Sequence, residues 1–403
     1  MQPLADLPLV LSQSNLQARA GLPEFTLAQV ETWITAPAEG GEGWGEVKPC
    51  LLVRVTTNAG IAGWGEAFVL PCREKAVAEI IHALGQASVS LQPAWPWVFR
   101  DMALRIASKH RGLDFSAASS ALEMALWDIY GKLAEEPLCK VLGGHTRRAV
   151  PVYANIWSDM QWDATSLAMR ASGLVAAGYT AVKVHPMLNH SVTEAVQAVA
   201  RVRAAIGDEI HLMVDLDTQD DPETSLSVAE RIASVRPYWF EEPVDGQDIE
   251  GLARIRKTTG MRIVTGEKHC GLPHFRAVLT AGAADILNPD IAGLGGLLDM
   301  IEVAELANRQ GVKVSPHCWN SMTVAAAAML HVCAAIPNAE MAEIYPEYVE
   351  HGARYATTGF RLDGAHAHLS GRPGLGVDID TNALRDLSRH FRSSRLTTAR
   401  ATR

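Results

Sequence analysis

Eight short β-rich runs alternate with Ala-rich helical runs in the second half of this chain, which predicts a parallel-stranded α/β fold. Eight such units suggest a closed (β/α)8 barrel of the TIM type. The runs are VPVYANIW, AVKVHP, IHLMVDLD, YWFEEP, RIVTGEK, ADILNPD, KVSPHC and EMAEIYP, between residues 150 and 346. From the second run onward each ends in an ionisable residue: Lys183, Asp215, Glu241, Glu267, Asp290, His317 and Glu343. Their successive separations are 32, 26, 26, 23, 27 and 26 residues, close to the roughly 25 that one strand, one helix and two short loops occupy. An open doubly wound sheet is the alternative. No GxGxxG follows the first run, so a dinucleotide-binding version of that sheet has little support.

The elements can be justified in chain order. The first 25 residues show no clear pattern. PCLLVRVTTNAGIAGWGEAF reads as a β-hairpin, with Val53 and Val55 alternating and Asn58-Ala59-Gly60 at the turn. Before it lies APAEGGEGWGEVKP, a Gly-rich stretch that reads from composition as a surface connection. SAASSALEMALWDIYGKLAEEPL is helical: Leu122, Ala125, Leu126, Ile129 and Leu133 form one apolar stripe, Ser116 can cap its start and Pro137 stops it. Within the repeating units, GGLLDMIEVAELANRQG places Leu297, Ile301 and Ala304 on one helix face, with Gly311 as the stop. The Arg-rich tail from Arg385 to Arg403 reads as a frayed, solvated terminus.

Composition narrows the function classes. The chain has 403 residues, is 48% hydrophobic and 20% charged, and its net charge of −9 argues against a nucleic-acid surface. No apolar run approaches the length of a membrane span, and the first residues lack the basic start of a signal peptide. Six widely spaced cysteines without a CxxC read as reduced thiols, so a cytoplasmic protein is expected.

In a closed barrel all the strand ends converge on one mouth, where barrel enzymes place their chemistry. A single Asp at a strand end is usually a loop cap, but seven polar ends in consecutive register are harder to attribute to capping. Asp215, a glutamate of the FEEP run (Glu241, or Glu242 on the opposite face) and Glu267 end consecutive strands. Such a cluster is costly to hold dry and ionised without a cation, and an all-oxygen set suits one Mg2+. Asp290 and His317 follow on adjacent strands; a carboxylate beside an imidazole fixes its tautomer and raises its basicity. Lys183 and His185 lie two apart on the far side, so both face the mouth with Val184 turned away.

These motifs together resemble the enolase superfamily, in its mandelate racemase subgroup, from about residue 27 to residue 385. ALEMALWDIYGKLAEEPLCKVLGG is similar to that family's signature helix and the loop leading into the barrel. MVDLD, FEEP and GEK resemble its three metal-ligand strand ends; the pattern favours Glu241 over Glu242 and gives Asp215, Glu241 and Glu267. NPDIAGLGG and SPHCW resemble its Asp–His dyad, PNAEMAE the strand whose Glu343 lies where the family has an electrophilic acid, and PGLGVDID its closing segment. Two departures stand out. The second strand carries Lys183-Val184-His185 where Lys-x-Lys is usual, and the third Asp215-Leu216-Asp217 where Asp-x-Asn is usual. Asp290 stands where the muconate-lactonizing and dipeptide-epimerase branches carry lysine, which argues against those branches.

The resemblance implies an α/β architecture: a (β/α)7–8 TIM-type barrel with an α+β capping domain built from the N-terminal segment and the C-terminal end. The expected division is capping domain 27–145, barrel 146–345, a segment 346–385 completing the capping domain, and a tail 386–403. It implies Mg2+-dependent abstraction of a proton α to a carboxylate. Dehydration of a sugar acid is favoured, because His317 can both take the α-proton and return it to the leaving hydroxyl. A racemase or epimerase of a 2-hydroxy acid, a lactone cycloisomerase and a catalytically silent metal- or acid-binding barrel are the alternatives. Lys183 is assigned to the substrate carboxylate. His185 is expected to be neutral and to bond a substrate hydroxyl, and Asp217 and Trp44 to touch substrate. The Gly-rich stretch then becomes a lid with Trp44 as a pocket wall. A small carboxylic acid is the expected partner, and a homo-oligomer the expected state.

Overall fold

The structure, a computed structural model, describes residues 21–35, 49–143, 147, 149–156, 163–187, 191–219, 221–319 and 323–397. The proposed lid, Trp44 included, lies outside the described residues.

The chain opens with strands β1 (Leu27–Thr35), β2 (Leu51–Thr57) and β3 (Ala62–Ala67). β2 and β3 pair antiparallel as the expected hairpin. The backbone turns back at Gly60, whose φ of 81° suits glycine. Helices Glu74–Ala87, Pro96–Ala107, Leu113–Leu133 and Leu138–Leu142 follow. The long helix Leu113–Leu133 differs from expectation in two ways. It begins after Gly112, so Ser116 lies inside it, buried, and caps nothing. Of the expected stripe, Leu122, Ala125, Leu126 and Ile129 are buried and Leu133 half-buried, and every other residue from Ser116 to Gly131 is buried too. The cause is a close approach to β3: a Cβ at Gly63 would lie 2.1 Å from the Ala125 carbonyl oxygen, and one at Gly65 1.8 Å from that of Ala121. With the sheet on one side and barrel loops on the other, this helix has no solvent face.

All eight expected barrel strands form: β4 (Val150–Asn155), β5 (Ala181–Val184), β6 (His211–Asp215), β7 (Trp239–Glu241), β8 (Ile263–Thr265), β9 (Ile286–Leu287), β10 (Lys313–Val314) and β11 (Ala342–Ile344). β4 to β10 pair in sequence order, all parallel. β11 returns to pair parallel with β4, and a Val314–Ala339 bridge joins the segment just before it to β10, which closes the ring. The connecting helices pack outside with their apolar faces inward. Leu297–Arg309 buries Leu297, Ile301 and Ala304, and Gly311, at φ 71°, turns the chain after it.

After the short helix Pro346–Gly352 come β12 (Ala356–Thr357), β13 (Phe360–Leu362), β14 (His366–Leu369) and β15 (Asp378–Ile379). β14 pairs antiparallel with β4, so part of this segment extends the barrel sheet. Another part meets the long helix, where Leu375 N–H donates to Asp128 at 2.9 Å.

The described part of the tail is not frayed as expected. β16 (Ser388–Arg395) runs antiparallel along β1 and completes the sheet β16-β1-β2-β3. Two of its three arginines pair with the first helix, Arg389 with Glu74 and Arg392 with Glu79, while Phe391 packs on Trp33 with ring centroids 5.0 Å apart. No helix among the described residues is long and apolar enough to cross a membrane.

Candidate active site

Inside the barrel, Tyr153, Ala181, Met213, Trp239, Val264, Ile286 and Met341 form a buried apolar floor. Side chains on a strand repeat every second residue. Two residues beyond five members of that floor stand Asn155, Lys183, Asp215, Glu241 and Glu343. The strand period thus lifts a polar layer onto an apolar one. Asp215 and Glu241 are direct neighbours in the register of β6 and β7. Asp215, Glu241 and Glu267 bring one carboxylate oxygen each to within 4.8 Å of one another, the only such group of metal-ligating side chains among the described residues. Of the two FEEP glutamates, Glu241 faces this cluster. Glu242 turns away at φ 39° and accepts from the Thr265 hydroxyl and the Gly266 N–H.

Lys183 is wholly buried, and its ammonium lies 2.6 Å from Glu241, 2.8 Å from Glu343 and 3.2 Å from Asp215. Burial works against its charge, but these carboxylates outweigh it and hold the amine well above its ordinary range. Burial pushes Glu241 well up, and the fields of Asp215, Glu343 and Glu267 add to it against Lys183. Glu267 is raised for the same first reason. Burial also opposes ionisation of Asp215, yet His185 and Lys183 bring its carboxyl down to about 2. Four carboxylates share this site with the Lys183 ammonium, with His317 beside Glu267 and Lys268 on the rim, and burial and like charge crowd them enough to raise Glu241 and Glu267. All-oxygen donors in that electrostatic setting fit a hard divalent cation such as Mg2+.

The expected dyad is formed. Asp290 and His317 face each other across a parallel bridge, with His317 Nδ1 2.9 Å from Asp290 Oδ2. Asp290 also accepts from the N–H groups of Ala292 and Trp319, at 2.8 and 3.2 Å. A carboxylate on Nδ1 makes that nitrogen the donor and leaves Nε2 as the basic position. Nε2 is 3.5 Å from Glu267 and 4.0 Å from Glu343, so the basic nitrogen sits beside the cluster. Burial lowers the affinity of His317 for a proton, but Glu267, Asp290 and Glu343 raise it to about 9.

Lys183 and His185 both reach the mouth side, as their spacing implied. His185 Nδ1 is 3.5 Å from Asp215, and its Nε2 is 3.2 Å from the Asn155 amide. Its proton affinity is lowered as expected, though burial is the first cause and Lys183 only a later one. Glu343 accepts from Lys183, from Asn155 at 2.6 Å and from Cys318 N–H at 2.8 Å. Burial raises its carboxyl, but Lys183 and His317 pull it below the ordinary range. Asp217 stands apart from the cluster. Left-handed backbone at Asp217 and Thr218, φ 49° and 64°, turns its exposed side chain to Lys268 on the rim, 3.2 Å away. Its N–H nevertheless donates to Asp215 at 2.8 Å.

Sequence reasoning missed Asn155, Asn288 and Trp239. Each touches a cluster residue, and none carries a charge to mark it. The usable signal was the period of two, since Asn155 and Asn288 each follow a floor residue by two positions.

Residues 25–143 match the family described as mandelate racemase / muconate lactonizing enzyme, N-terminal domain, and residues 166–383 the family described as enolase C-terminal domain-like. The chain is 30% identical over 373 residues to a D-gluconate dehydratase of Thermoproteus tenax, covering 89% of this chain and 73% of that one. It is also 30% identical over 347 residues to a D-galactarolactone cycloisomerase of Agrobacterium fabrum, covering 83% of this chain and 90% of the other. Among solved structures, an enolase from environmental sequencing of the Sargasso Sea superposes with a TM-score of 0.89 at 39% identity, covering 93% of this chain and 100% of that one. The chain belongs to the mandelate racemase / muconate lactonizing enzyme family of the enolase superfamily, and it is an enzyme of the lyase kind.

Proposed function

We propose that the protein is a Mg2+-dependent dehydratase of a sugar acid, an aldonate or aldarate, yielding the 2-keto-3-deoxy acid. The observation that carries this reading is the placement of His317 Nε2, set by Asp290 and 3.5 Å from a carboxylate of the acidic cluster. Asp215, Glu241 and Glu267 would hold one Mg2+, which offsets the negative charge that develops on a substrate carboxylate. The relatives named D-gluconate dehydratase and D-galactarolactone cycloisomerase support a sugar-acid substrate.

The chain's own residues divide the work. His317 Nε2 takes the α-proton, and the C–H electron pair becomes the C=C bond of an enediolate. That pair then forms the new double bond to the β-carbon as the C–O bond breaks. The departing hydroxide receives the proton from His317 and leaves as water. The resulting enol tautomerises to the keto acid. Asp290 keeps the imidazole in the tautomer this needs and stabilises its charged form. Lys183 supplies a fixed positive charge beside the developing negative one. His185 holds a substrate hydroxyl.

Lactone cycloisomerisation is the second reading, favoured by the cycloisomerase relative at the same identity. Both begin with the same proton abstraction. The test is a panel of aldonic and aldaric acids and their lactones, each incubated with enzyme and Mg2+. Keto-acid release from a free acid supports dehydration. Turnover of lactones alone supports cycloisomerisation. No turnover of any panel member contradicts both.

A further inference from the structure

The cluster is held by donors that bear no charge. Asn288 follows the floor residue Ile286 by two positions and lies just past the end of β9. It is buried, and its amide nitrogen is 3.0 Å from Glu241 Oε1 and 3.4 Å from Glu267 Oε2. One amide thus spans two neighbouring carboxylates of like charge. From below, the buried indole N–H of Trp239 donates to the other oxygen of Glu241 at 2.8 Å. Both oxygens of the central carboxylate are therefore tied. The difference from Lys183, which meets the same Glu241 Oε1, is charge. An ammonium competes with a divalent cation for a carboxylate, whereas an amide or indole N–H orients the carboxylate and leaves its charge uncancelled. Asn288 lies two residues before Asp290, so one short segment serves both the carboxylates and the base.

We infer that Asn288 and Trp239 are positioning residues that pre-set Glu241 and Glu267 for a divalent cation. This inference rests on the proposed metal role of the cluster. Donors behind metal ligands are typically worth about ten- to a hundredfold in metal affinity. The test is Mg2+ titration calorimetry of the purified full chain, with melting temperatures measured in Mg2+ and in chelator. Asn288→Ala is expected to weaken Mg2+ binding by about ten- to a hundredfold, and Trp239→Phe by about tenfold. In both variants the rise in melting temperature on adding Mg2+ should shrink. A purely structural role would lower both melting temperatures together and leave that rise unchanged. Glu267→Gln serves as the control and should bind Mg2+ far more weakly than either variant. The inference is overturned if both variants bind within twofold of the parent chain while Glu267→Gln does not. If Glu267→Gln also binds like the parent, the metal reading of the cluster fails and takes this inference with it.

Discussion

Two buried acidic clusters in this molecule have similar residues and opposite electrostatics. One lies between the helices Leu113–Leu133 and Leu297–Arg309. There Asp299 accepts from Arg100 at 2.6 Å and from Arg111 at 2.5 Å, and Glu302 accepts from Arg100 at 2.8 Å. The third carboxyl, Glu123, accepts from the Trp127 and Leu298 N–H groups, and burial pushes it up to about 8. Two guanidiniums thus face Asp299 and Glu302, and the site is closed. The other cluster, at the barrel mouth, sets Asp215, Glu241 and Glu343 on the Lys183 ammonium, with Glu267 beside them and 3.5 Å from His317. Burial alone does not distinguish a functional carboxylate from a structural one. What distinguishes them is the partner: guanidiniums and N–H groups hold the first cluster, whereas three carboxylates of the second bring their oxygens within 4.8 Å of one another.

That comparison can be broken most forcefully by exchanging losses between the clusters. Glu267→Gln should cost about a thousandfold or more in turnover and leave the melting temperature in chelator unchanged or higher, because a repulsive charge is gone. Asp299→Asn should do the reverse. It strands buried guanidiniums and should cost about 3–5 kcal/mol of stability, with kcat of the folded fraction near that of the parent. Denaturant unfolding and steady-state kinetics on both variants check this; loss of stability in the first with loss of activity in the second would invert the account.

The dyad sharpens the comparison further. His317→Asn should abolish α-proton exchange, and Asp290→Asn should slow it by about a hundredfold while Mg2+ binding stays within a few-fold. Isotope exchange followed by NMR separates the two readouts. A smaller effect is expected at His185→Gln, which keeps a hydrogen-bonding group but not a base. Dehydration should remain within about tenfold of the parent; collapse of turnover with substrate still bound would make His185 a base and favour an epimerase.

The smallest effect lies far from both clusters. His82 bonds Thr32 at 3.0 Å beneath the β1–β3 sheet, and burial lowers its proton affinity to about 4. Because the unfolded imidazole titrates near 6.5, its contribution is complete above that pH and is lost as pH falls toward 4. Melting temperature should therefore decline below about pH 6.5, and His82→Asn should flatten part of the slope.

Much of the site was legible because strand period and unit length are rigid. One polar strand end per unit of about 25 residues brought Lys183, Asp215, Glu267, Asp290, His317 and Glu343 into view without coordinates, and the family resemblance chose Glu241 over Glu242. Asn155, Asn288 and Trp239 were not legible, since a neutral donor gains meaning only from the carboxylate it meets. β16 was missed for another reason. Its Arg- and Ser-rich sequence reads as solvated tail, and only Glu74 and Glu79 on a distant segment give Arg389 and Arg392 partners. The long helix was recognised, but an apolar stripe reports one buried face, and the Gly63 and Gly65 contacts bury the others. Asp217 was expected at the substrate, but its left-handed backbone turns it to the rim.

The central claim is that the Asp215, Glu241 and Glu267 cluster at the mouth is the metal site for α-proton chemistry. Its most direct test is α-hydrogen exchange of sugar acids in D2O, with chelator-treated enzyme before and after Mg2+ is restored. The account predicts negligible exchange and dehydration in the treated enzyme, and recovery of both when Mg2+ is added. Full turnover in chelator would contradict it.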